Sequence, residues 1–248
     1  MDRIGTNNEG FLVNVLDFKL YVNRVGKKNY KPTIVMDAGY GDYSKAWNEV
    51  APEIAKFAEV VLYDRAGLGR SDKSSNPRTS EQMVIELKEL LTNLNIAPPY
   101  ILVGHSFGGV NMRLFATEYS NEVSGLVLVD STHENYRERF LPTMSLEFQA
   151  AYRKQFVYEG NYYEFMESLK QVKKNSKKLN VPLIVISAGK KAHYSAQSQK
   201  LWNEMQKELL NISINSKFIL DNKSTHYIQK DEPSIVIDAV KQLVISHR

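Results

Sequence analysis

Short, unbroken apolar runs alternate with amphipathic stretches along most of the chain. Residues 33–36, 60–63, 101–103, 125–129 and 181–187 are continuous apolar segments of strand length. Such runs mark strands buried on both faces of a sheet. Upstream, residues 11–25 predict two strands around a tight bend near Asp17, with Val13, Val15, Phe18, Leu20 and Val22 alternating with outward positions. Residues 217–220 predict a last strand.

Helical periodicity fills the intervals. Met83, Leu87, Leu90, Leu91 and Leu94 fall at spacings of three and four. Thr79 or Ser80 is placed to cap that helix, and Gln82 would complete a capping box with Thr79. Ser44 is placed to cap a helix over Ala46, Trp47, Val50, Ile54 and Phe57. Further helices are expected over Val110 to Tyr119, around residues 198–210, and from Pro233 through Val244. Strands alternating with helices predict an α/β protein, a mostly parallel sheet with helices on both faces. Function in such sheets collects at the carboxyl ends of the strands.

The rhythm breaks once. From His133 to about Asn180 the pattern is helical and aromatic, with Tyr136, Phe140, Phe148, Tyr152, Phe156, Tyr158, Tyr162, Tyr163 and Phe165. This predicts a core of residues 1–132 and 181–248, with residues 133–180 inserted as a helical lid. The lysines at 170, 173, 174, 177 and 178 read as a solvated helix face.

Composition narrows the function classes. Among 248 residues, 43% are hydrophobic and 24% charged, as in ordinary globular domains. No apolar run reaches the roughly 18 residues of a membrane helix, and the first eight residues lack the apolar core of a signal peptide. The chain has no cysteine, which removes disulfides, thiol nucleophiles and cysteine-ligated zinc and points to the cytoplasm. A net charge of +4, spread along the chain, is a poor footprint for nucleic acid. Nothing legible specifies the oligomeric state.

The chemistry centres on Gly104-His105-Ser106-Phe107-Gly108-Gly109, at the junction of a buried strand with a helix. A strand turning sharply into a helix crowds its flanks, so Gly104 and Gly108 suit positions where a Cβ would clash. The turn would strain Ser106 and expose its Oγ. A serine hydroxyl needs a base, and the base needs an orienting carboxylate. Of five histidines, His226 follows the last strand and is the expected base. His105 is expected to point away as a structural residue, His133 and His193 belong in or near the lid, and His247 ends the chain. The expected acid is Asp130, at the end of the strand after the Ser106 helix. The loop after Ser187, Ala188 to Tyr194, contains no carboxylate, and Glu204, Asp221 and Glu134 are weaker rivals. The oxyanion donors expected are the amides of Phe107 and Tyr40, the latter in the Gly39-Tyr40-Gly41 loop. The Gly67-x-Gly69 pair lacks the helix that a phosphate cradle requires.

With the Tyr63-Asp64-Arg65-Ala66-Gly67-Leu68-Gly69-Arg70-Ser71-Asp72 segment, and with His226 through Pro233, the chain resembles a lidded, esterase-like α/β-hydrolase. The resemblance spans nearly everything outside the lid and runs in the order Ser, Asp, His. It implies eight strands, a catalytic triad, no cofactor or metal, and a lid that shapes the pocket. Two features depart from it. Ala38-Gly39 stands where His-Gly is frequent in the family, and the usual acid position is empty, which favours Asp130. Members acting on haloalkanes or epoxides carry an aspartate where Ser106 stands. The expected activity is therefore hydrolysis of a small or medium, partly apolar carboxylic ester through an acyl-enzyme. C–C hydrolysis, amide cleavage and perhydrolysis remain open on the same residues. So does a ligand-sensing protein of slow turnover.

Overall fold

The computed structural model describes residues 10–28 and 30–247; the reading of the N-terminal residues as no signal peptide lies outside them. The first two strands, β1 (Phe11–Val15) and β2 (Phe18–Val25), form an antiparallel hairpin. After them come β3 (Thr33–Asp37), the short helix α1 (Ala51–Ile54) and β4 (Val60–Tyr63). Helix α2 (Ser80–Asn93), β5 (Tyr100–His105), α3 (Phe107–Glu118) and β6 (Val123–Val129) complete the first half. Between β6 and the next strand lie a π-helical turn at Tyr136–Phe140, α4 (Leu146–Lys154) and α5 (Tyr162–Lys174). The chain ends with β7 (Leu179–Ala188), α6 (Ala196–Glu208), β8 (Ser213–Asp221), α7 (Ile228–Asp231) and α8 (Pro233–His247).

The eight strands form one sheet in the order β1-β2-β4-β3-β5-β6-β7-β8. β2 pairs antiparallel with β4, and every pairing from β4 to β8 is parallel. Alternation along the central strands explains their unbroken apolar runs. Val35, Leu102, Leu126 and Val185 pack on one face with α2 and α3, whereas Ile34, Ile101, Val127 and Ile184 pack on the other with α1 and α8. Each strand therefore supplies both cores.

Three local expectations change. Ser44 caps no long helix: a 3-10 turn at Ser44–Trp47 precedes α1, and Ser44 donates its amide to Asp64 Oδ1 at 2.9 Å. Pro52 in the first turn of α1 restarts the helix, because proline fits there but not in a helix interior. At α2, Thr79 occupies the N-cap without a side-chain cap bond. The helix is capped from α5 instead, where Ser168 Oγ accepts the Ser80 amide at 2.8 Å and Gln171 Oε1 accepts the Glu81 amide at 3.0 Å. Those acceptors lie some ninety residues downstream, so no local motif encodes them. β8 starts at Ser213, ahead of the expected Lys217. As the edge strand it leaves Asn215, Ser216 and Lys217 exposed, which hides it from a search for apolar runs.

The turn from β5 into α3 is tight. A Cβ at Gly104 would lie 2.5 Å from Gly109 Cα and 2.6 Å from Gly108 O. Both obstacles are backbone, so Gly104→Ala is expected to cost at least about 2 kcal/mol of stability, read as a lowered urea midpoint with an unchanged slope.

Candidate active site

Ser106 stands between β5 and α3 with φ 51° and ψ −117°, a conformation that a side chain other than glycine rarely adopts. Its backbone is tied down on both sides. The Ser106 amide donates to Val129 O at 3.1 Å, and Ser106 O accepts from the amides of Thr132 at 3.0 Å and Gly109 at 3.1 Å. Its neighbours in the turn are buried, whereas Ser106 is partly exposed to a cavity of about 480 Å³. Tyr40, Phe148, Tyr152, Phe156, Phe165 and Trp202 wall that cavity, and His226 reaches it as well.

The structure brings His226 and Asp130 together. His226 Nδ1 lies 2.6 Å from Asp130 Oδ2. A carboxylate only accepts, so Nδ1 carries the donated hydrogen and Nε2 is left as the basic nitrogen. Asp130 itself is fully buried and holds φ 42° just past β6. Its Oδ1 accepts from the Ala188 amide at 3.0 Å and from Trp202 Nε1 at 2.7 Å. Its Oδ2 accepts a second donor, Lys191 Nζ, at 2.9 Å. Burial alone would raise the Asp130 carboxyl, but the Lys191 cation and the His226 hydrogen bond outweigh it and hold the group well below the usual carboxylate range. The His226 imidazole is pushed below its ordinary value, first by desolvation and then by Lys191.

The rival carboxylates lie elsewhere. Glu134 pairs with Arg113 at 2.7 Å. Burial would raise its carboxyl, but Arg113 brings it down to about 2. Asp221 accepts the amides of Lys223 and Ser224 and so shapes the turn before His226. Glu204 is exposed on α6. Of the other histidines, His193 and His247 are exposed, and His133 is buried beside Glu134 and Glu208. His105 is a structural residue, as expected, but its side chain turns toward the His226 loop. Its ring sits 4.6 Å from that of His226, and its Nε2 donates to His226 O at 2.9 Å, so it braces the His226 loop rather than pointing away.

The loop at Gly39-Tyr40 runs against the same turn, since a Cβ on Gly39 would meet Ser106 Cβ at 3.3 Å. Among the described residues, the amides of Tyr40 and Phe107 make no hydrogen bond. The brace for this loop is Arg65. Its Nη1 donates to Ala38 O and its Nη2 to Gly39 O, both at 2.8 Å. The same guanidinium pairs with Asp37 through Nη1, and with Glu159 Oε1 and Oε2 at 2.6 Å each. Glu159, from the segment between α4 and α5, also accepts the Gly41 amide at 2.9 Å. Desolvation opposes the Arg65 charge, but Asp37 and Glu159 overcome it and keep the guanidinium firmly protonated.

Arg65, Glu159, Lys191 and Trp202 are the contributors that sequence reasoning did not assign. Arg65 stood in the segment that carried the resemblance. Lys191 lies in the loop after β7, which holds no carboxylate. Glu159 and Trp202 carry no local signal. Among the described residues, no cluster of three or more histidine, aspartate or glutamate side chains could hold a metal ion, and no helix is long and apolar enough to cross a membrane.

With this geometry established, comparison with known proteins places the fold. A family model described as alpha/beta hydrolase fold matches residues 32–231, and the chain belongs to that family. The uncharacterized protein YqjL of Bacillus subtilis (strain 168) is 35% identical over 206 residues, covering 82% of this chain and 80% of YqjL. Among solved structures, the haloalkane dehalogenase DbeA from Bradyrhizobium elkani USDA94 superposes with a TM-score of 0.69 at 16% identity, covering 96% of this chain and 97% of DbeA. The enol-lactonase from Burkholderia xenovorans LB400 superposes with a TM-score of 0.68 at 17% identity, covering 95% of this chain and all of that one (100%). The two structural likenesses concern the fold alone. The eight-stranded, mostly parallel sheet is as the resemblance implied.

The Arg65 cluster is a buried ion network, and removing one partner leaves charge without compensation. Arg65→Met is expected to lower the unfolding free energy by about 3 to 5 kcal/mol. Chemical denaturation at neutral pH measures the loss, and a change below about 1 kcal/mol would rule out a bracing role.

Proposed function

We propose that the protein is a serine hydrolase that cleaves a carboxylic ester through an acyl-enzyme. The observation that carries this reading is the 2.6 Å contact between Asp130 Oδ2 and His226 Nδ1 in the cavity that exposes Ser106. In the proposed cycle, His226 Nε2 takes the Ser106 hydroxyl proton as Oγ attacks the ester carbonyl. The amides of Tyr40 and Phe107 receive the oxyanion; both are unpartnered, and the Tyr40 loop is fixed by Arg65. His226 then passes its proton to the leaving alcohol. A water that gives its proton to His226 attacks the acyl carbonyl, and Ser106 recovers its hydrogen as the acid departs. Asp130 orients the ring throughout and stabilises the imidazolium.

The helices between β6 and β7 act in this reading as a lid. Phe148, Tyr152, Phe156 and Phe165 from that segment form the apolar wall, which favours a substrate with an aromatic or branched aliphatic moiety. Dehalogenation is not carried over from the structural neighbour. Displacing halide from carbon calls for a carboxylate that forms an ester, and position 106 is a serine. The other neighbour is an enol-lactonase, and a lactone is a cyclic ester, which agrees with the proposal.

Ser106→Ala is expected to abolish both hydrolysis of generic esters and labelling by a fluorophosphonate. Asp130→Asn is expected to lower kcat by about three to four orders of magnitude, while Glu204→Gln stays within about twofold, because Glu204 is exposed on α6. Equal losses in the two carboxylate variants would remove Asp130 from its role. Activity also has a predicted pH course. The base form of His226 is the working form, and its titration is displaced downward. The acid limb of kcat/KM should therefore lie below the ordinary histidine value of about 6.5, with activity lost as pH falls through it. A limb at or above that value would contradict the assignment.

A further inference from the structure

The buried lysine beside the proposed acid has no part in the cycle above. The Lys191 side chain is only 8% exposed. Its ammonium lies 2.9 Å from Asp130 Oδ2 and 3.3 Å from His226 Nδ1. Both nitrogens are donors in the working tautomer, so they cannot bond each other and instead share one carboxylate oxygen. The ammonium is also 3.6 Å from the centroid of the Trp202 ring, within the range of a strong cation–π contact, and 5.0 Å from that of Tyr194. Trp202 Nε1 donates to the other oxygen of Asp130. Carboxylate, indole and ammonium thus hold one another in place. The Lys191 backbone is anchored too, with its amide donating to Gln199 Oε1 at 2.9 Å. Lys191 lines the same cavity as Ser106.

We propose that Lys191 is a positioning residue that shares the Asp130 carboxylate with His226 and thereby sets the pH range in which His226 serves as a base. The proposal rests on the serine-hydrolase reading for its catalytic meaning. Its physical content, a fixed cation beside the imidazole, stands apart from turnover.

The consequence follows from the charges facing His226. From the end of β6 comes Asp130, which favours the imidazolium. From the loop after β7 comes Lys191, which opposes it at 3.3 Å. His105, at the end of β5, is buried and kept neutral by desolvation and by its proximity to His226. Asp42, in the loop after β3, favours the imidazolium from farther off and interacts with Tyr227, next to His226 in the chain. Lys191 is the one cation in this group, and it is held by the anion that would otherwise serve the imidazolium alone. Removing its charge should therefore raise the pH at which His226 takes up a proton. Because protonated His226 cannot accept the Ser106 proton, the acid limb of activity should rise with it.

The test compares the protein with its variants Lys191→Met, which keeps an aliphatic stem over Trp202, and Lys191→Arg, which keeps the charge. His226 is titrated directly by its imidazole NMR signals, and kcat/KM for a generic ester is followed over the same pH range. The methionine variant should titrate His226 about one unit higher. Well below its acid limb it should lose about tenfold more kcat/KM, relative to its own plateau, than the parent loses at the same pH. The arginine variant should stay within about a third of a unit of the parent. Lys191→Gln, neutral but still a donor to Asp130, gives the same reading if the methionine variant does not fold, and should match its upward shift. A His226 titration unmoved in the folded neutral variants overturns the proposal. So does an equal shift in the arginine variant, which would reflect altered packing. An inactive parent whose His226 still shifts with the Lys191 charge upholds the electrostatic proposal while sinking the hydrolase reading, so the two fail separately.

Discussion

The turn from β5 into α3 is the constraint to which the rest of the site answers. A helix can leave the carboxyl end of a central strand this abruptly only if its first turn packs backbone to backbone on the strand it came from. The 2.5 Å and 2.6 Å approaches to a Gly104 Cβ measure that contact. The turn places Ser106 in an unfavourable conformation, at a cost of order 1–3 kcal/mol. Hydrogen bonds to Val129 and Thr132 hold it there. Those partners follow from the parallel register, in which His105 lies beside Val129, so the segment after β6 must pass directly behind the serine. The same register delivers Asp130 one residue later, within reach of whatever follows β7 and β8.

Two buried ionic clusters flank this turn, and they differ in kind. Around Arg65 the charges are fixed. Two carboxylates hold the guanidinium protonated, and its remaining donors go to the carbonyls of Ala38 and Gly39. Such a cluster serves as a mechanical brace. It also ties the first half of the sheet to Glu159, so the loop beside Ser106 and the segment that walls the cavity share one guanidinium. Around Asp130 one member does titrate. His226 is one-third exposed to the cavity while its acid partner is wholly buried, so its protonation responds to solvent while its orientation does not. Burial makes both clusters costly to break and of little net worth as isolated pairs. Their value lies in fixing atoms rather than in stability.

The sheet, the order of its elements, and the positions of Ser106, Asp130 and His226 were legible because local pattern encodes them. Continuous apolar runs mark central strands, glycines mark close backbone approach, and strand ends mark where polar groups collect. The capping of α2 by Ser168 and Gln171 was not legible, since its acceptors come from α5, and neither was the polar edge strand β8 before Lys217. The Arg65–Glu159 contact, across ninety-four residues of chain, escapes any reading of local spacing for the same reason. Expecting His105 to point away failed differently. Adjacency to a strained turn says where a backbone goes, whereas the side chain bonds the carbonyl of His226, which lies 121 residues downstream.

The loop from Ala188 to Tyr194 shows how an apparent vacancy changes meaning in three dimensions. Lacking a carboxylate, it moved the expected acid to the end of β6. A carboxylate moved there sits deeper than one on an exposed loop, and Asp130 has no accessible surface. An anion so placed needs more than one histidine hydrogen bond to offset its desolvation. The same loop answers that need, with the Ala188 amide on one oxygen and the Lys191 ammonium on the other. A cation supplied for this reason cannot leave the adjacent imidazole untouched at 3.3 Å. In the proposed assignment, burying Asp130 and lowering the proton affinity of His226 are one structural choice seen from two residues.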